Sequence, residues 1–428
     1  MISRYFQFES RRTTLRQEIM AGITTFLTMA YIIFVNPSIL SEAGMDRDAL
    51  IVVTCLIAAV STLLMGLIPN VPIAMAPGMG MNAFFTYTLV QTYGMSWQAA
   101  LGIVFWAGSL FLLLSLIGAR EKILQAIPQS LISAIAAGIG LFILFIGMKN
   151  MGLIVGNTAT LVSLGSFTVE VILGIVGLFV SIVLLVRGIQ AAILIGILVT
   201  TAFAMALGKV EFPTQMFSYD LSISAISFQL DLWSAFKWSL IGPIFALMFI
   251  DLFDTLGTLV ACAHEAKLVE KDGKINKLSS MLNIDAIATM LSGLLGSSPT
   301  TSYVESASGI AAGGKTGFTS VITGSLFLVA LLFIPLIGIV PPYATAPALI
   351  IVGMMMLKSV RNIQFESYEE SFPALLTITT MVFSFQISTG LAIGFLSWGI
   401  IKLFLLKVKD ISWVMWIIMA LSGLSLVV

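Results

Sequence analysis

Ala76-Pro77-Gly78-Met79-Gly80-Met81-Asn82 and Gly296-Ser297-Ser298-Pro299-Thr300-Thr301-Ser302-Tyr303-Val304-Glu305 are the two stretches that decide the fold. Both interrupt apolar sequence with proline, glycine and hydroxyl residues, which favour extended backbone over helix. A short apolar segment accompanies each of them, 81–93 with the first and 303–313 with the second. Irregular backbone at membrane depth survives only where protein or a water-filled cavity satisfies its polar groups. Each short segment is the third apolar segment of its own half. Matched interruptions of this kind point to the binding site of an inverted repeat, whereas two unrelated re-entrant loops leave the coincidence unexplained.

The rest of the chain supplies the bilayer. Of 428 residues, 58% are apolar and only 10% are charged, with a mean hydropathy of +1.06; roughly 25% charge is usual for soluble proteins. At about 20 residues per span, fourteen spans need roughly 280 residues. The expected fold is therefore an all-α polytopic membrane protein of about fourteen spans in two inverted repeats of seven, with short strands and half-helices in spans 3 and 10. Hydropathy separates one segment too many, from 19–36 to 411–427. Either 411–427 is an added span or interfacial helix, or 371–406 is a hairpin that does not cross twice.

Alternating the spans from a cytoplasmic N-terminus leaves Arg47, Lys149, Lys209 and Lys237 outside and the other 17 of the 21 Lys and Arg inside, Arg120 and Lys122 among them. That asymmetry predicts a multi-pass protein of the cell (inner) membrane with its N-terminus in the cytoplasm. Residues 1–18 mix arginines with Glu9 and Glu18 and read as retained rather than as a cleaved signal. The net charge of zero suggests no nucleic-acid partner. Cys55 and Cys262 follow no spacing motif and read as buried thiols, and no cofactor or metal is expected. His264, the only histidine, and the charged run Lys267–Lys277 with Asp272 read as a solvated loop, and Met354-Met355-Met356 as membrane packing. A connection over 209–236, with Asp220 and Asp231, divides the halves and reads as a linker on the outer surface.

Chemistry concentrates in the eighth span, Asp251-Leu252-Phe253-Asp254-Thr255-Leu256-Gly257-Thr258. On a helix Asp251, Asp254, Thr255 and Thr258 fall within an arc of roughly 100°. One acid at the centre of a span costs about 2.5–3.5 kcal/mol on insertion scales, so two on one face imply function. Glu305 is a third acid, placed where extended backbone gives way to a short helix whose free N–H groups favour negative charge or an electron-rich ligand. Asn82 is its uncharged counterpart in the first half, readable equally as a cap of its own helix.

Thr24-Thr25-Phe26-Leu27-Thr28-Met29-Ala30-Tyr31-Ile32-Ile33-Phe34-Val35-Asn36-Pro37, the 76–85 stretch through Phe84 and Phe85, Asp251–Thr258 and Thr300–Gly309 occur in this order. With these motifs the chain resembles the adenine/guanine/hypoxanthine permeases, the azaguanine-resistance-type branch of the nucleobase/ascorbate transporters, from about residue 15 to residue 400. The resemblance implies a core domain of spans 1–4 and 8–11 and a gate domain of spans 5–7 and 12–14. In residues these are 1–126 (core), 127–208 (gate), 209–236 (linker), 237–337 (core) and 338–428 (gate). It further implies purine nucleobase uptake coupled to protons in the lipid bilayer, and a homodimer. Asp254, Glu305, Asn82 and Asp251 would bind the base and Asp251 or Asp254 would carry the proton, supported by Thr255, Thr258 and Val304. Uracil-transporting relatives have Glu at the place of Asp254 and a histidine one turn on, where this chain has Thr258, so coupling here would fall to a carboxylate.

Carboxylates suit the N–H groups of a purine, and backbone amides its acceptors. Phe84, Phe85 or Phe253 could stack on the ring. Uracil, xanthine or another small solute on the same fold is the nearest alternative. An intramembrane aspartyl protease would need a Gly-Asp dipeptide, which the chain lacks. A channel would need polar residues along a whole pore instead of at one depth.

Overall fold

The computed structural model describes residues 2–118, 126–213, 215–217, 221–237, 240–266, 268 and 275–427. Arg120, Lys122, Asp220, Lys267 and the 269–274 part of the charged loop, with Lys271, Asp272 and Lys274, lie outside the described residues. Helix α1 (Leu15–Met29) opens with a capping box in which Thr14 and Gln17 exchange side chain-to-backbone hydrogen bonds. It breaks at Ala30 and Tyr31 and resumes as α2 (Ile32–Ser41), so the single segment expected over 19–36 is two helices. Then come α3 (Arg47–Leu67), β1 (Met75–Pro77), α4 (Met79–Ala83), which continues as a π-helix over Phe84–Thr92, and α5 (Trp97–Leu116). The first half ends with α6 (Gln129–Met151), the hairpin β2 (Ile154–Asn157) and β3 (Leu161–Leu164), α7 (Val169–Val186) and α8 (Ala192–Ala206).

The second half repeats the order: α9 (Ile241–Glu265), α10 (Leu278–Leu295), β4 (Thr300–Ser302), α11 (Ser306–Ala311), α12 (Gly317–Ala330), α13 (Pro342–Leu357), α14 (Tyr368–Ser384) and α15 (Ile387–Phe404). A last helix, α16 (Trp413–Val427), packs on α15. Ten helical stretches among the described residues are long and apolar enough to cross a membrane, and Ala192–Ala206 and Trp413–Leu424 are shorter apolar helices.

Packing relates the halves by a two-fold. With the segments taken as two sets of seven, α3 on α12 joins spans 2 and 11, and α5 on α10 joins spans 4 and 9. These contacts exchange under the rotation, while α6 on α13 and β1 on β4 map onto themselves. Glycines allow the close approaches: a Cβ on Gly317 would lie 1.9 Å from the Gly66 carbonyl oxygen, and one on Gly353 2.4 Å from that of Gly140. Glu18, fully buried, accepts from the hydroxyls of Thr316 (2.8 Å) and Thr319 (2.6 Å) at the start of α12, where an acid suits the helix end.

β1 and β4 are the strands expected in spans 3 and 10. They pair antiparallel, Met75 opposite Ser302 and Pro77 opposite Thr300. Neighbouring elements satisfy others of their polar groups, as an apolar surrounding demands, while the buried Ser302 hydroxyl has no partner among the described residues. The Thr62 hydroxyl bonds both the N–H (2.9 Å) and the carbonyl (3.0 Å) of Met75, and the Tyr303 hydroxyl donates to the Pro77 carbonyl at 2.6 Å. The 209–236 connection is more than a surface linker. Ile226 is fully buried, Phe228 N–H donates to the Leu294 carbonyl at 2.7 Å, and Asp231 N–H donates to that of Gln98 at 2.9 Å.

Candidate functional site

A cavity of about 570 Å³ lies between α9, the Val304–Glu305 turn and the facing helices α6 and α13. Helix α9 contributes Phe253, Asp254, Gly257 and Thr258, α6 contributes Ser133 and Ile139, and α13 contributes Val352, Met355 and Met356. At one end the lining residues Gln129, Lys358 and Asn362 are exposed, so the cavity opens there. A recess of about 80 Å³ shares Asp254, Thr258, Val304 and Glu305 and runs inward to Tyr31, Gly78, Gly80 and Thr301. A Cβ on Gly78 would lie 2.8 Å from Thr301 Cγ2 and 3.7 Å from Asp254 Oδ2, so this glycine keeps the recess open beside the carboxylate. Cavities around Asp46 and Asp48 and around Arg11 and Lys315 are as large, but neither reaches the β1–β4 crossing.

The four polar residues of α9 do not act as one stripe. Their arc straddles the edge between the cavity and the α10–β4 side. Asp254 and Thr258 line the cavity. Asp251, expected beside them, is buried behind the wall: its Oδ2 accepts from the Thr289 hydroxyl of α10 at 2.9 Å, and its Oδ1 has no partner among the described residues. Thr255 turns the same way, donating to Asp285 Oδ2 at 2.8 Å and lying 2.8 Å from Thr301 Oγ1.

Glu305 occupies the N-cap position of α11, yet its side chain makes no capping bond. It reaches instead to Tyr31, whose hydroxyl donates to Oε1. Asn82 is not a cap either, because Gly78 holds that place in α4. Asn82 is fully buried outside the cavity lining; its Oδ1 accepts from the Ser298 hydroxyl, and its Nδ2 has no partner among the described residues. Phe84 and Phe85 are likewise fully buried away from the lining. Phe253 does line it, stacked on Phe249 with ring centroids 6.2 Å apart. Val304 lines it as well and is exposed.

Several lining residues escaped the sequence reading. Met355 and Met356, read as packing, line the cavity, as do Gln129, Ser133 and Asn362. Asp285 is a buried acid within the apolar segment 277–296, and the rule that singled out Asp251 finds it too.

The opposite end of the cavity is shut. Glu42 Oε1, beyond α2, accepts from the Tyr87 hydroxyl of the π-helix and from Asn150 Nδ2 of α6, both at 3.0 Å, and Lys149 Nζ sits 5.3 Å from the centre of the Tyr87 ring. The Tyr93 hydroxyl lies 3.0 Å from Ser388 Oγ of α15. Beneath these, the Phe385 ring packs edge-on against Tyr87, Phe142 and Phe145 at 5.2–6.5 Å.

Residues 16–393 match the model of a permease family, Xan_ur_permease. The chain is 43% identical to the adenine permease AdeP of Escherichia coli, over 96% of this chain and 93% of that one. It is 42% identical to the guanine/hypoxanthine permease PbuG of Bacillus subtilis, over 96% of each. The transmembrane domain of a cyanobacterium bicarbonate transporter, BicA, superposes with a TM-score of 0.65 at 16% identity, over 89% of this chain and 97% of that one, a likeness of fold. The murine anion transporter Slc26a9 does so with a TM-score of 0.66 at 12% identity, over 92% and 69%. Matched over most of its length by the family and over nearly all of it by these relatives, the chain is a multi-pass membrane protein that belongs to the permease family and is not an enzyme.

Proposed function

We propose that the chain is a secondary active transporter that imports purine nucleobases, adenine, guanine or hypoxanthine, by proton symport with alternating access. The observation that carries this reading is the convergence of Asp254 and Glu305 on one recess of an otherwise largely apolar cavity. Two carboxylates there accept from the N–H groups of a purine, backbone amides near the β1–β4 crossing answer its acceptors, and Phe253 offers a face to the ring. The names of the relatives, permeases for adenine and for guanine/hypoxanthine, support the same substrate class.

The cavity separates a core, 1–126 with 237–337, from a gate, 127–208 with 338–428. With the Gln129–Lys358 end in the cytoplasm, as the distribution of Lys and Arg favours, the arrangement is inward-open and the Glu42 contacts close the outside. Asp254 and Glu305 are the ligands, with Thr258 and Val304 beside them. Asp251 relays the proton, since Thr258 cannot. Asn82 braces the crossing through Ser298.

Uptake of labelled hypoxanthine in cells expressing the chain, with purines, pyrimidines and anions as competitors, tests the substrate. Purines are expected to compete and a protonophore to abolish accumulation. Competition by uracil alone, or accumulation that needs sodium and survives the protonophore, would overturn the corresponding part of the proposal.

A further inference from the structure

We propose that Tyr31 is a positioning residue of the site: its hydroxyl holds the Glu305 carboxylate in the orientation that receives the substrate. This rests on the purine-transport reading of the same recess.

Two tyrosines line the recess, and their hydroxyls have different partners. That of Tyr303 is committed to the Pro77 carbonyl at 2.6 Å, pinning the crossing of the strands. That of Tyr31 donates to Glu305 Oε1 across 274 residues of sequence. The break between α1 and α2 places Tyr31 there, with its ring fully buried and only its hydroxyl engaged with the acid. The Glu305 side chain caps none of the following N–H groups of α11, and Tyr31 is the one side-chain donor that fixes it among the described residues. An ionised carboxylate has two oxygens and about four acceptor sites. With Oε1 engaged, Oε2 remains for an N–H group of the base.

Glutamate is a flexible side chain, and a binding site that has to order it on ligand arrival loses affinity. Ordering one such side chain weakens binding by roughly three- to tenfold. Removing only the Tyr31 oxygen should therefore raise the substrate constant by that factor and leave the rate at saturation nearly unchanged. A purely structural role predicts the opposite pattern, in which the base-free protein loses thermal stability.

The test is counterflow of labelled hypoxanthine in proteoliposomes with the full-length chain, its Tyr31→Phe, its Glu305→Asp and the double variant, beside thermal unfolding of each without base. Expected are a KM about three- to tenfold higher for Tyr31→Phe at wild-type Vmax, costs that do not add, and an unchanged unfolding temperature, because Glu305 is half-buried beside an open cavity where water can take the place of the hydroxyl. The shorter acid of Glu305→Asp already forfeits the bond, so removing the hydroxyl from it adds little. A wild-type KM in Tyr31→Phe, additive costs, or a lowered unfolding temperature of that variant would overturn the assignment of Tyr31. Absence of saturable purine exchange by the wild-type chain sinks the transport reading itself, a separate outcome read from the control.

Discussion

Asp251 and Asp285, buried on adjacent helices, are each bonded by a threonine of the other's helix: Thr289 of α10 donates to Asp251 at 2.9 Å, and Thr255 of α9 donates to Asp285 at 2.8 Å. Valine has the shape of threonine but no hydroxyl. Thr255→Val and Thr289→Val should each destabilise the protein by about 1–3 kcal/mol, the usual cost of stripping a buried acceptor of its donor. Chemical unfolding in detergent measures it. Wild-type stability in both would show that these bonds contribute nothing net.

The division of α9 between two sides separates its aspartates by experiment. Asp254→Asn should lose binding and counterflow together, by about one to two decades in affinity, since charge-assisted hydrogen bonds contribute roughly 1.5–3 kcal/mol. Asp251→Asn should keep counterflow while failing to concentrate the base against a gradient. Counterflow beside net uptake in proteoliposomes reads both. Intact accumulation in the two variants would remove α9 from the mechanism.

Gly80 meets the facing helix closely: a Cβ there would lie 2.6 Å from Ile139 Cγ2. Overpacking of this kind costs about 1–3 kcal/mol. Gly80→Ala should slow uptake roughly tenfold by obstructing the approach of α4 and α6, and Ile139→Ala in the same chain should restore much of the rate. Initial uptake rates decide it, and a slow double variant would locate the defect elsewhere.

Glu42 ties α2, the π-helix and α6 together at the closed end through Tyr87 and Asn150. Glu42→Ala removes both bonds, and about 1–2 kcal/mol of lost closure shifts the open fraction roughly 5- to 30-fold. A cysteine replacing Ser388 should then react faster with an impermeant maleimide added outside. Cys55 and Cys262 are buried free thiols, which keeps the background low. Equal labelling rates would mean that the aromatic cluster at Phe385 closes this end without Glu42.

How far the sequence carried the fold depended on which physical signal each element leaves in it. Proline, glycine and threonine at 76–82 and 296–305 announced the strands, because extended backbone has local composition rules. Asp254 and Glu305 announced themselves by the cost of an acid in apolar sequence. Asp285 obeys the same rule, and Thr289 and Ser292, four and seven residues on, share its face; what its segment lacks is the second acid that Asp254 adds beside Asp251. Tyr31, Ser133 and Met356 left no such mark, since tyrosine, serine and methionine are ordinary in a span and gain meaning only when distant helices meet. The direction in which Asp251 points was illegible for another reason. Helical periodicity gives relative angles around α9, whereas the boundary between cavity and α10 is set by the neighbours.

The six residues of the β1–β4 ladder also govern how the chain can be made. Tyr303 and Pro77, bonded across the crossing, are 226 residues apart. At about 5–20 residues per second, β1 waits roughly 10–45 seconds for its partner during synthesis. Thr62 can meet the groups of Met75 in that interval, but the β1 groups that pair with β4 have no strand partner, which hydrocarbon does not tolerate. The first seven segments must therefore be sheltered, by the insertion machinery or by one another, until Thr300–Ser302 arrives. Two fragments divided within 209–236 and synthesised together should assemble, whereas either alone should be degraded.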